Sequence, residues 1–359
     1  MTSRKANPSL LHCAGGLHCQ QFSPTLGACS NRFSSATTGL ILDIIPAPTA
    51  NPTLAQDATA ASSEPVTLPL AHGHLAGTLL IPQSASPIPV VLLVAGSGPT
   101  DRDGNQPGVG PSSLRQLAEA LATRQIATLR FDKRGVAGSA SAAAPEAELR
   151  FEMFADDVAA WLQLLSNDHR FSSVIVAGHS EGALLALLAL RHAPAAAYIS
   201  LEGPARPANE VLHDQLAKQL PAPLMAESDT ILARLTRGVV TDSTPPALAA
   251  LFRPSVQPYL ISWFRYSGQS EIARLQIPCL IVQGSHDLQV APSEADLLQA
   301  ANPRCQVARI DGMNHVLKQT PADMAGQMAS YQGPDAPLAP ALVDAIASFV
   351  AGAGTRCAA

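Results

Sequence analysis

Through the middle of this chain, short apolar runs alternate with stretches in which apolar residues recur every three or four positions. Residues 66–70 and 75–81 read as an opening β-hairpin with His72-Gly73-His74 at its turn. An apolar run at 89–94 follows. Leu114, Leu117, Ala118 and Leu121 then give the i, i+3, i+4, i+7 stripe of a helix behind a Ser112-Ser113 cap. Residues 127–131 read as the next strand, and Phe151, Phe154, Val158, Trp161, Leu162 and Leu165 trace one face of another helix. The apolar run at 172–177 leads into 183–190, which contains only Ala and Leu and reads as a helix buried on every side. Further strands are expected at 199–203, 278–283 and 305–310. Strand, helix and strand in alternation predict an α/β fold, a mostly parallel doubly wound sheet with helices on both faces.

Two segments break the pattern. Residues 1–62 are rich in Ser, Thr, Ala, Pro and Asn without a sustained period, and read as a disordered or processed leader ahead of a domain at 63–353. Within the leader, residues 38–46 resemble a degraded signal-peptide core, and residues 54–58 a small-residue cleavage region. The apolar run is short, carries Asp43 and starts far from Met1, so a cytoplasmic or an exported protein fits equally. Between 204 and 271, Pro207, Pro221, Pro223, Pro245, Pro246, Pro254 and Pro258 punctuate short helical stretches, as expected of a helical cap inserted over a site. Leu260, Ile261, Trp263, Phe264 and Tyr266 form its aromatic patch, which fits the cap's own core or the wall of an acyl pocket.

The chemistry is concentrated where the strand at 172–177 ends in Gly178-His179-Ser180-Glu181-Gly182. A strand that turns at once into a helix leaves no room for side chains at the bend; Gly178 and Gly182 supply it, and Ser180 stands at the tip in a strained conformation. A chain of this length contains G-x-S-x-G by chance about 0.1 times. Two more strand ends add weight, because Gly284-Ser285-His286-Asp287 and Gly312-Met313-Asn314-His315 place an acid and then a histidine downstream. The expected roles are Ser180 as nucleophile, His315 as its base, and Asp287 holding the imidazole tautomer. The expected oxyanion donors are the backbone N–H groups of Glu181 and, after the strand at 89–94, Ser97.

Each residue also has a plainer reading. Ser180 could be a helix N-cap, which would explain neither glycine. His179, set in the elbow, is expected to point away from the site; His286 lies beside the proposed acid, and His213 falls in the cap. Asp287 could cap a following helix, with Asp311 as the reserve acid, although Asp311 lies very close to His315 in the chain. Glu181 reads as a supporting or wall residue whose backbone matters more than its carboxylate.

Composition narrows the remaining classes. Charged residues are 14% of the 359 and the net charge is −5 with basic residues scattered, which argues against a nucleic-acid partner. No apolar run is long enough to span a membrane. Six cysteines are present. Cys13, Cys19 and Cys29, with His12 and His18, match no standard zinc spacing, so no metal is assigned. Cys279 and Cys305 read as small buried hydrophobes, Cys357 lies in the tail, and no disulfide is expected.

Four stretches together, Ala95-Gly96-Ser97-Gly98-Pro99-Thr100-Asp101-Arg102-Asp103-Gly104-Asn105, Arg130-Phe131-Asp132-Lys133-Arg134-Gly135, the elbow, and Gly312 to Lys318, resemble bacterial α/β-hydrolases of the serine aminopeptidase S33-like and lysophospholipase-like groups. The likeness runs over about residues 65–352. It implies the α/β-hydrolase fold, a Ser-Asp-His triad, no cofactor, and mostly carboxylic esters as small-molecule substrates. The chain departs from the pattern at Ala137, where another Gly is usual and its absence predicts a shifted loop, and at Ala95, where many relatives carry His. The expected activity is ester cleavage through an acyl-enzyme. The alternatives are an aminopeptidase-type peptidase, a thioesterase, or a binding protein of the same fold. Oligomeric state is not legible.

Overall fold

The computed structural model describes residues 61–356, with side chains through Ala353. Residues 1–60, with Cys13, Cys19, Cys29 and the signal-like run, therefore lie outside the described residues, as does Cys357. Eight strands, β1 (Ala61–Pro69), β2 (His74–Pro82), β3 (Ile88–Val94), β4 (Ala127–Phe131), β5 (Phe171–His179), β6 (Ala197–Leu201), β7 (Cys279–Gly284) and β8 (Gln306–Ile310), form one sheet in the order β1-β2-β4-β3-β5-β6-β7-β8. The β1–β2 and β2–β4 pairs are antiparallel and all others are parallel. The expected opening hairpin and doubly wound sheet are thus both present. β1 begins at Ala61, two residues before the expected start of the domain. The ladder explains it, since Ala61 and Ser62 pair with Pro82 and Ile81 through backbone groups that need no apolar side chain.

The pleat sends alternate residues to two cores. Val90, Leu92 and Val94 face one core with helices α2 (Phe151–Ser166) and α3 (Glu181–Ala189), while Val91, Leu93 and Ala95 face the other with α1 (Ser113–Ala122) and α11 (Pro340–Arg356). The Ala/Leu helix α3 is buried at all nine positions, as its composition requires. α11 runs to Arg356, past the expected domain end at 353.

Between β6 and β7 lie α4 (Ala208–Ala217), α5 (Ala222–Thr236), α6 (Ala249–Phe252), α7 (Gln257–Trp263) and α8 (Gly268–Ile272). The first four share a core of their own around Leu212, Leu235, Phe252, Leu260 and Phe264, in the stretch expected to form the cap. α8 does not belong to it, because Ile272 packs into the main core. After β7 come α9 (Ser293–Ala301) and, after β8, α10 (Met324–Gln332).

One expectation about the strands is overturned. Cys279 and Cys305 form a disulfide, with Cα atoms 4.8 Å apart. Cys279 opens β7 and Cys305 directly precedes β8; adjacent parallel strands entered from the same end bring the two into bonding range. Both are buried, so burial was read correctly and the pairing was not.

Candidate active site

Every parallel strand from β3 to β8 ends at the same edge of the sheet, and the quoted motifs all sit there. Ser180 follows β5 at φ 54°, ψ −122°, a strained conformation for a residue with a side chain, and its hydroxyl makes no capping bond to α3. That rules out the N-cap reading. The glycines serve close approach: a Cβ on Gly178 would be driven into the Gly182 carbonyl, and one on Gly182 into the carbonyls of Val94 and Ala95. A Cβ on Gly96 would lie 3.3 Å from the Ser180 Cβ, which shows how near the loop after β3 comes to the elbow.

His315, in the loop after β8, is 4% exposed, and its Nδ1 lies 2.7 Å from Asp287 Oδ2. The other Asp287 oxygen accepts the N–H groups of Gln289 at 2.7 Å and Val290 at 2.9 Å, so one carboxylate both holds its own loop and orients the imidazole. Burial alone would raise the Asp287 carboxyl, but the opposing charge of His315 and these bonds hold it below the ordinary carboxylate value. Asp311 is elsewhere, exposed and accepting from Ser285 Oγ at 2.9 Å. His286 bonds the Thr320 carbonyl, and His213 pairs with Asp229 in the cap.

Ser180, His315, Ser97 and Gly96 line one cavity of about 90 Å³, with Thr100, Gln106, Ser113, Gln289 and Tyr331 giving it polar groups and Val109, Pro111, Leu114 and Val316 apolar ones. No hydrogen bond joins the Ser180 hydroxyl to His315 among the described residues. Such contacts are commonly loose without substrate. The cap's aromatic patch does not line this cavity. Leu260 and Phe264 fill the cap core, and Trp263 stacks on Phe151 of α2 at 5.5 Å between ring centres.

His179 contradicts its expected direction, because it lines the cavity with its ring 4.9 Å from that of His315. Its Nε2 lies 2.7 Å from the His315 carbonyl oxygen, so the neutral ring donates there and braces the loop that carries His315. Burial, helped by the neighbouring His315, pushes its pKa down to about 4.

Two buried groups were not singled out from the sequence. Glu202, directly after β6 at φ 51°, accepts the Gly284 N–H at 2.8 Å and a bond from the Gln283 amide, and it contacts Asp287. Burial and the Asp287 charge push the Glu202 carboxyl well above its ordinary value, so of the two carboxyls Glu202 is the one that holds a proton more readily. Lys133 is 4% exposed and forms an ion pair with Glu181 at 2.7 Å. No motif marked the first at the end of β6, and the basic R-F-D-K-R-G stretch hid the second.

Ala137 occupies the left-handed region at φ 41°, so an alanine takes a conformation that a glycine would favour. Among the described residues, no group of three or more His, Cys, Asp or Glu side chains could hold a metal ion, and no helix is long and apolar enough to cross a membrane.

A strained serine after the fifth strand of such a sheet, with an Asp-bonded histidine at the same edge, is the arrangement of an α/β-hydrolase. The alpha/beta hydrolase family model matches residues 91–327, and the chain belongs to that family. Esterase EstD of Thermotoga maritima is 31% identical over 263 residues, which cover 69% of this chain and 60% of that protein. The chain thus spans less than two thirds of that relative's length. Among solved structures, Est1E from Butyrivibrio proteoclasticus with ferulic acid bound is 16% identical at a TM-score of 0.54, covering 80% of this chain and 99% of that one. A proline iminopeptidase from Mycobacterium smegmatis is 19% identical at 0.51, covering 82% and 100%. At these identities the two structures speak to the fold alone.

Proposed function

We propose that this hydrolase-family chain is a serine carboxylesterase acting through Ser180, His315 and Asp287. The observation that carries the reading is the Ser180 hydroxyl, uncommitted at φ 54° and facing the cavity that His315 also lines, while Asp287 occupies His315 Nδ1. With Nδ1 protonated and bonded, Nε2 is the basic atom of the ring. His315 takes the Ser180 proton as Oγ attacks the ester carbonyl. The negative charge collects on the former carbonyl oxygen, which the Ser97 and Glu181 N–H groups stabilise. Collapse expels the alcohol, protonated by His315, and leaves an acyl-serine. Water, deprotonated by the same base, releases the carboxylic acid and restores Ser180.

The name of EstD supports an ester substrate, and the small cavity favours short acyl groups. A peptidase reading, to which the iminopeptidase likeness lends its name, lacks support in the lining. A free amino terminus would need a carboxylate at the site, and no Asp or Glu lines the cavity among the described residues. The Glu181 carboxylate is taken up by Lys133 and Tyr259. Hydrolysis of p-nitrophenyl acetate, butyrate and octanoate beside aminoacyl p-nitroanilides tests the choice, in wild type and Ser180→Ala. Ester turnover that favours the short chains and vanishes in the variant is expected; preferential anilide cleavage would replace the esterase by a peptidase.

A further inference from the structure

Next to the cavity, but lining none of it, Lys133, Glu181 and Tyr259 form a buried polar chain. Lys133 Nζ donates to the Gly96 carbonyl at 2.9 Å and to Glu181 Oε1 at 2.7 Å, and the Phe154 ring lies on a further side with its centre 5.3 Å away. The second Glu181 oxygen accepts the Tyr259 hydroxyl at 2.9 Å, from helix α7 of the cap. Burial, reinforced by the Glu181 carboxylate, keeps that phenol protonated and therefore a donor.

A pair this buried is a costly way to gain stability, since desolvating two charges consumes most of their attraction. Its placement suggests another use. The Gly96 carbonyl and the Ser97 N–H belong to one trans peptide plane and point in opposite directions. An ammonium fixed on the carbonyl therefore fixes where the N–H is aimed, and it polarises the amide so that this N–H donates more strongly. The same ammonium holds the side chain of Glu181, whose N–H opens α3. Among the described residues, neither the Ser97 nor the Glu181 N–H is taken by another acceptor outside the regular elements.

We propose that the Lys133–Glu181 bridge is the positioning device of the oxyanion hole, setting the Ser97 and Glu181 N–H groups in register for the tetrahedral intermediate, with Tyr259 tying that register to the cap. This rests on the esterase reading above. Lys133 and the Glu181 carboxylate touch no substrate; they act through the two peptides they hold.

The test compares Lys133→Met, Lys133→Met/Glu181→Met and Tyr259→Phe with wild type, reading kcat and KM for p-nitrophenyl butyrate and the affinity of a trifluoromethyl ketone that mimics the tetrahedral intermediate. The double variant removes both charges, so no unpaired ion is left to unfold the core, and Tyr259→Phe deletes one oxygen only. Loss of one well-aimed donor predicts a fall in kcat of about 100-fold in the Lys133 variants and, for one lost bond, about tenfold in Tyr259→Phe. KM should stay within about threefold, and ketone affinity should fall in step with kcat/KM, as for an interaction made only in the transition state. A folded variant with near wild-type kcat, or with lowered kcat and unchanged ketone affinity, overturns the proposal. Ser180→Ala separates the two claims: residual turnover in that variant would defeat the esterase reading itself.

Discussion

Replacing Glu202 by Gln should change how stability depends on pH. Glu202 is fully buried against Asp287, and its carboxyl is held well above the ordinary value by burial and by that neighbouring charge. Its folded pKa therefore exceeds its unfolded one, so the folded protein binds the extra proton. Stability from this proton is fully present below the unfolded value and is lost as pH rises toward the folded one. Over that window each pH unit costs about 1.4 kcal/mol in wild type. The amide side chain of the Glu202→Gln variant cannot ionise, and it still offers an acceptor and donors in place of the protonated acid. The assay is urea unfolding of both proteins at pH 5, 6, 7 and 8. The difference in stability should move in favour of the variant as pH rises above the carboxylate range, by at most about 1.4 kcal/mol per unit, with titrating groups remote from Asp287 cancelling. Parallel pH curves would mean that Glu202 ionises as it would in water, and would refute the protonated-acid description of the contact with Asp287.

Reducing the Cys279–Cys305 bond, or replacing both residues by Ala, reopens a loop set by a sequence separation of 26 and should cost about 3.5 kcal/mol in urea unfolding, whereas an unchanged midpoint on adding reductant would show that the bond is not formed. Ala137→Gly should stabilise the protein by about 1 kcal/mol by relieving a left-handed alanine, and a destabilised variant would show that the φ of 41° is not kept. His179 stays neutral down to about 4, so its proton NMR titration should have its midpoint there, and folded stability should fall by about 3 kcal/mol as pH drops from the ordinary histidine value toward 4. A midpoint near neutrality would contradict its burial beside the His315 ring.

The succession of strands and helices and the strand-end residues were readable because each rests on a local pattern. The elbow needs two glycines around Ser180 whatever surrounds it, and Asp287 and His315 follow apolar runs that only a buried strand explains. What escaped notice depends on contacts between distant segments. The Cys279–Cys305 bond needs β7 beside β8, and Glu202 has meaning only once Asp287 and Gly284 come to meet it. The direction of His179 was misread because the elbow's twist turns it into the cavity beside His315. The cap's aromatic patch carried two readings in the sequence, and only packing against Phe151 and Leu260 separates an anchor from a pocket wall.

The central claim is that Ser180 carries the acyl group. Rapid acid quenching of the protein during turnover of p-nitrophenyl acetate, followed by peptide mass analysis, tests it directly. One acetyl group on the peptide containing Ser180, absent in Ser180→Ala and accumulating in His315→Ala only at a greatly reduced rate, is the expected result. Ester turnover at wild-type rate without an acylated Ser180, or with the acetyl group on another residue, would contradict the account.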